Sequence, residues 1–277
     1  RHVLEVVAAA KDKQLTLVTG TQRRHQGSYL SQALALRQGQ LGTIRGGNIY
    51  WCGGWGSVRP RKPGASNAQY MCNNWMNWAQ MSGDHIVEQH VHNIDVANWF
   101  IGRPPRSAMA VGARTRRKTG NQYDFFSVDF DYGDSLHIHS LCRQIPGCAD
   151  RVGELFATDL AEISGGGKVT RYDGKAVALE DVGCAGNPYV NEHAALLDSI
   201  LNGKMLNEGE ATAYATAAAI IGRLSAYTGL TVRLSDVLTN KESPFYAMNF
   251  TPAAADFEGT ADVALPEEGV APLPGKV

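Results

Sequence analysis

Residues 124–144, DFFSVDFDYGDSLHIHSLCRQ, alternate apolar and polar side chains over two stretches joined by Tyr-Gly-Asp-Ser. Successive side chains of a strand point to opposite faces, so Phe126, Val128 and Phe130 share one face while Ser127 and Asp129 share the other. The pattern predicts an antiparallel hairpin turning at YGDS. One face of such a sheet can meet water; the other must be covered by helices or by a second subunit. SAMAVGART (107–115) has the same character, and residues 153–180 hold further short strands punctuated by SGGGK and YDGK.

The rest of the chain supplies helices. RHVLEVVAAAKDKQ (1–14) reads as an amphipathic helix with Val3, Val6, Val7 and Ala10 on one face. The apolar run LTLVTG (15–20) predicts a buried parallel strand, TQRRHQ a polar loop at its C-terminal end, and SYLSQALALRQGQLG a helix closed by Gly39. Residues 1–41 are thus expected to be the last helix–strand–helix piece of an α/β sheet. TIRGGNIYWCGGW reads as a strand entering a loop, and GSVRPRKPGASN as a basic Pro/Gly loop. Helix is expected from about residue 68 to 101, ended by Pro104 and Pro105. NPYVNEHAALLDSILNGK and NEGEATAYATAAAIIGRLSAYTG read as two closing helices with glycine at their C-terminal ends. Residues 242–277 lose periodicity and gain proline, which predicts either an extended arm or a disordered terminus.

A formal net charge of −1 gives no global field toward nucleic acid or an anionic membrane. No apolar run approaches the roughly 18 residues of a membrane span. Five cysteines, an odd number without CxxC spacing, argue against a disulfide framework or structural zinc, while a single bridge stays open. The chain opens inside a helical pattern without an initiator Met or a signal peptide; a processed start and missing preceding residues are both expected explanations.

Chemistry concentrates in SGDHIVEQHVHNIDVANWF, residues 82–100. On one continuous helix Asp84, Glu88, His92 and Asp95 fall within one arc with His85 at its edge. Val87, Val91 and Ile94 flank the arc on one side, Val96 and Phe100 on the other. A polar arc walled by apolar surface lines a cleft or a buried network. Glu88 and His92, four apart, would be neighbours, and a carboxylate beside an imidazole makes a general acid/base near neutral pH. Two alternatives stay open: a divalent-metal site of His85, Glu88 and His92, and a satisfied internal network.

This segment resembles the substrate-domain signature of the Gfo/Idh/MocA oxidoreductases: an acidic residue, His four later, Asp three later, then Trp, here Glu88, His92, Asp95 and Trp99. The resemblance implies that His92 transfers a proton at a sugar hydroxyl and that Glu88 helps bind the sugar. Most relatives carry Asp and Gly where this chain has Glu88 and His90, so the similarity is to a divergent subgroup. VTGTQRRHQGSYLSQALALRQGQLGTI resembles the end of the family's nucleotide-binding domain, and NPYVNEHAALLDSILNGKMLNEGEATAYATAAAIIGRLSAYTG its closing helices. The implied fold is α+β: a C-terminal remnant of a Rossmann sheet (1–41), a large open, mainly antiparallel sheet backed by helices (42–241), and a C-terminal arm (242–277). Relatives pair such sheets face to face, which implies a homo-oligomer through the sheet and the arm. RPRKPG, GDHIVEQHVHNIDV and CRQIPGC resemble a subgroup of periplasmic or secreted sugar-processing proteins; a cytoplasmic setting is the alternative.

No G-x-G-x-x-G turn is found, and the family's Glu-Lys-Pro motif is not among these residues. Tight NAD binding by these 277 residues is therefore not expected, and NAD(P) enters only if a longer protein supplies the nucleotide domain. A fragment of a dehydrogenase and a naturally shortened protein both fit. The functional expectations are a sugar, glycoside or inositol oxidoreductase; a cofactor-independent or metal-assisted glycoside lyase or hydrolase; or a non-catalytic sugar-binding or assembly subunit.

Further candidate ligands for a small carbohydrate are Arg23, Arg24 and His25 at a strand end, and Trp55 with Arg59, Arg61 and Lys62 in the basic loop. Arg143 joins them because the resemblance puts the end of its strand near the cleft. ARTRRK (113–118) is expected to be a solvated hairpin tip, His137 and His139 to be sheet-surface residues, and Cys142 to be core.

Overall fold

The hairpin is the centre of the sheet. In the computed structural model, which describes residues 1–56, 58–248, 253–257 and 266, Phe125–Gly133 (β3) pairs antiparallel with Leu136–Gln144 (β4). Asp134 and Ser135 between them both adopt positive φ, 56° and 59°, the backbone that a tight hairpin turn with right-handed strand twist requires. Around this pair lie Ile44–Gly53 (β1), Ser107–Ala113 (β2), Arg151–Thr158 (β5), Ala161–Ser164 (β6), Val169–Arg171 (β7) and Val232–Arg233 (β8). The eight strands are ordered β7-β6-β5-β1-β4-β3-β2-β8. Only β1 and β4 run parallel; the other neighbours are antiparallel.

The apolar face set by alternation is covered by helices. Phe126, Val128, Phe130 and Ile138 are fully buried, each contributing about 1.5–3 kcal/mol by burial. Gly209–Thr228 (α8) packs on β2 and β3, while Val91–Ile101 (α6) packs on β1, β5 and α8. Small residues let α8 come close: a Cβ on Gly222 would lie 3.2 Å from both Phe130 and Ile86. Both helices stop at left-handed glycines, Gly102 (φ 85°) and Gly229 (φ 73°). The opposite sheet face carries Ser127 bonded to His139 and Asp129 bonded to His137, with Met109 and Val111 60% and 63% exposed.

Four expectations need correction or restriction. LTLVTG forms one parallel bridge, Leu17 to Asn207, and no strand. Leu17 exchanges bonds with Leu206 and Glu208, and no ladder extends beyond them among the described residues. The helical stretch is divided into Asn67–Asn73 (α3), Ala79–Ser82 (α4), Asp84–Glu88 (α5) and α6, since Gly83 (φ 70°) and Gln89 leave helical geometry. ARTRRK does connect β2 to β3, but Arg117 within it is 2% exposed; Asp124 folds the loop inward by accepting the N–H groups of Thr115, Arg116 and Arg117. Most of the expected C-terminal arm lies outside the described residues.

Candidate functional site

The site is assembled where α5 and α6 meet the C-terminal ends of β1 and β4. Gln89 (φ −128°, ψ −51°) separates the two helices, so Glu88 and His92 do not occupy consecutive turns of one helix. His90 marks the break: it is completely buried, with Nε2 2.7 Å from the Ser140 hydroxyl. The bonds of Glu88 go to His85 and Gln144, both at 3.4 Å. His92 instead packs its ring against Trp51, with centroids 5.9 Å apart. The side chain of Glu88 is 4% exposed, whereas His92 is half-buried. The acidic residue thus stands behind the site and the imidazole opens onto it.

Asp84 is a second buried anchor. It has a positive φ of 67°, a strained backbone for a non-glycine residue. Its carboxylate accepts from the Tyr123 N–H (2.8 Å), Arg223 Nε (2.5 Å) and the Tyr227 hydroxyl (3.1 Å). That environment uses Asp84 to fasten α5 to α8.

The short 3-10 helix Gln22–His25 delivers three basic side chains. Arg23 bonds Glu154 at 2.5 Å and lies 5.5 Å from the Trp51 ring. Arg24 makes two 2.8 Å bonds to Asp95. His25 sits 2.8 Å from Glu208. Each of the three has therefore met a carboxylate from a distant part of the chain, and both arginines also lie over indole rings, Arg23 5.5 Å from Trp51 and Arg24 5.0 Å from Trp99. Glu154 further accepts from the Tyr29 hydroxyl (2.9 Å) and Asn93 Nδ2 (2.6 Å).

These contacts set protonation. Burial, reinforced by the neighbouring Arg23 charge, lowers the His92 pKa, and Asp95 opposes this. Burial also drives the His90 pKa well down. The Glu154 carboxyl is raised by desolvation against the opposing pull of Arg23 and its donors. A neutral imidazole beside an indole face and a guanidinium can accept a proton from a hydroxyl resting on that face.

The other expected residues lie elsewhere or do other work. Trp55 is partly buried. Arg59, Arg61 and Lys62 line a small separate cavity with Tyr70 and Asn73. Arg143 Nη2 donates to the Ala149 carbonyl at 2.5 Å. Cys142 is core, as expected. The described residues contain no group of three His, Cys, Asp or Glu side chains arranged to hold a metal ion, so the alternative set of His85, Glu88 and His92 is not formed. Trp51, Glu154, Asn93, Gln144 and Arg117 were not singled out from sequence. Of these only Glu154 carried a signal, an acid at an inward position of the strand RVGELFAT.

Residues 32–151 match the family model described as GFO/IDH/MocA C-terminal domain. Over those residues the chain is similar to a Gfo/Idh/MocA C-terminal domain. Solved structures share its fold. The aldose-aldose oxidoreductase of Caulobacter crescentus complexed with glycerol is 16% identical, with TM-score 0.64 over 83% of this chain and 68% of that one. Apo scyllo-inositol dehydrogenase from Lactobacillus casei is 15% identical, with TM-score 0.60 over 84% and 68%. An oxidoreductase from Agrobacterium radiobacter in complex with NAD+, L-tartaric acid and magnesium is 15% identical, with TM-score 0.60 over 85% and 70%. No curated protein matches the sequence.

The helix that follows QRRHQ, Gly27–Arg37 (α2), begins at a glycine, but a Cβ there would meet the Cys184 carbonyl oxygen at 2.5 Å. The chain's own backbone packs against that helix start.

Proposed function

We propose that this domain binds a sugar or cyclic polyol and moves a proton at one of its ring hydroxyls, as the substrate half of a carbohydrate oxidoreductase. The observation that carries this is His92, half-buried, its ring tilted against Trp51, with its pKa lowered by burial and by Arg23. The ring of the ligand lies on the indole face, where an apolar sugar face and an aromatic ring exclude water together. Arg23, held by Glu154, donates to ligand oxygens. His92, neutral at physiological pH, takes the hydroxyl proton in oxidation and returns it in reduction. Asp95 and Arg24 brace the helix that carries His92. The hydride leaving the same carbon would go to NAD(P), which a nucleotide-binding domain beyond these residues would have to supply.

We propose also that two copies pair through the open sheet face that bears Met109 and Val111. The exposed Met109 and Val111 lie beside the polar Ser127–His139 and Asp129–His137 pairs, a mixed surface that suits a contact between copies.

The test is a screen of glycosides, inositols and their oxidised forms, by calorimetry for binding and by turnover with and without added nicotinamide. His92→Asn should lower turnover by about 10²–10⁴ and leave affinity within about tenfold. Wild-type turnover in that variant would refute the role of His92.

A further inference from the structure

One buried chain of hydrogen bonds has ends of fixed polarity. At one end Arg117, 2% exposed, directs its guanidinium to the side-chain oxygens of Asn77 (2.8 Å) and Gln144, with Asp124 at 3.6 Å. A guanidinium only donates. At the other end His85 Nε2 lies 3.0 Å from the Trp51 carbonyl oxygen, which only accepts. Between them Gln144 Nε2 is 3.0 Å from His85 Nδ1 and 3.4 Å from Glu88 Oε1, and Glu88 Oε1 is itself 3.4 Å from His85 Nδ1. His85 and Gln144 are 1% and 4% exposed, so water does not intervene.

The polarity propagates inward from both ends. Because Arg117 donates, the Gln144 oxygen must face it, and the amide NH₂ must face His85 and Glu88. Because the Trp51 carbonyl accepts, His85 must carry its proton on Nε2. Nδ1 is then a lone pair, which is what the Gln144 amide requires. The second amide hydrogen is left for the Glu88 carboxylate. A proton on Nδ1 would face the Glu88 carboxylate at 3.4 Å but oppose the Gln144 NH₂ at the shorter 3.0 Å, and the Trp51 carbonyl already claims the proton for Nε2. A carboxylate at 144 would reverse that preference.

We infer that Gln144 is a positioning residue, through which buried Arg117 fixes the Nε2–H tautomer of His85 and orients the Glu88 carboxylate behind the His92 site. Its bearing on turnover rests on the proton-transfer role proposed for His92; the tautomer does not.

The test uses the full chain, uniformly ¹⁵N-labelled, with imidazole ¹⁵N–¹H correlation spectra recorded at alkaline pH. Wild-type His85 should show the Nε2–H pattern with an unprotonated Nδ1. Gln144→Glu should place a proton on Nδ1. A wild-type Nδ1–H pattern overturns the inference without any variant. So does a His85 spectrum that Gln144→Glu leaves unchanged. Once a turnover assay exists, Gln144→Glu should move one limb of the pH profile by about one unit and keep KM. An unmoved profile with the altered tautomer would overturn the positioning role. If His92→Asn alone is silent, the His92 reading fails while the tautomer result stands.

Discussion

The guanidinium of Arg24 lies against the carboxylate of Asp95 with Nε and Nη2 each 2.8 Å from one oxygen. The pair is 71 residues apart in sequence, and the two side chains are only 16% and 3% exposed. It ties the segment before α2 to the helix that carries His92. Removing one member of a buried ion pair leaves an uncompensated charge, typically costing about 3–5 kcal/mol. Asp95→Asn should therefore lower unfolding free energy by that order in urea titrations. Arg24→Met with Asp95→Leu should recover most of it. A loss below about 1 kcal/mol in the single variant would show that the pair is not structural.

His90 predicts how stability varies with pH. Its folded pKa lies well below the ordinary histidine value because burial disfavours the charged form. A group with a lowered basic pKa takes up its proton first in the unfolded state. Stability is then unaffected above the unfolded pKa of about 6.5 and falls as pH drops through it, by up to about 1.4 kcal/mol per pH unit for one proton. Thermal melts from pH 7.5 to 5 should show this decline, and His90→Gln should flatten it by one proton's worth. Equal slopes for the two proteins would contradict the assignment.

What the sequence disclosed, and what it hid, follows the range of the interactions. Alternation at Phe126, Val128 and Phe130, the turn at Asp134–Ser135 and the glycine stop at Gly229 are local, and each appears in the structure. The ionisable cluster at 84–95 was visible too. Its geometry was not, because periodicity assumes an unbroken helix, and the chain breaks at Gln89 where His90 is drawn to Ser140. Glu154, Arg117 and Gln144 were hidden for a related reason. Their partners lie 131, 40 and 59 residues away, and a charged residue in a basic run looks the same whether it faces water or Asn77. Arg23 and Arg24 were read as ligand donors since nothing local reveals that each meets a carboxylate from another element.

The proposed pairing through the open sheet has a direct check. Met109 and Val111 sit on β2, 60% and 63% exposed. Lysine at both positions places like charges against each other across a two-fold contact. Sedimentation should report a dimer or higher oligomer for the wild type at micromolar concentration and a monomer for Met109→Lys/Val111→Lys. A monomeric wild type would remove the proposal.

The Arg23–Glu154 couple predicts the direction in which His92 can be tuned. Two effects lower the His92 pKa: burial first, then the positive charge of Arg23. Removing Arg23 alone would strand Glu154, whose carboxyl desolvation already raises. The clean variant is therefore Arg23→Met with Glu154→Gln, which deletes the pair and leaves a neutral amide for Tyr29 and Asn93. With the like charge gone, the His92 pKa should rise, so the imidazole charges at higher pH than in the wild type. It should still fall short of the ordinary value of about 6.5, because burial is the larger cause and persists. NMR titration of the His92 ring reads both statements without requiring a substrate. Where turnover can be followed, the acid limb of the pH profile should move to higher pH by the same amount, since a protonated His92 cannot accept the hydroxyl proton. A His92 titration that does not move, or moves downward, would show that Arg23 does not act on the ring.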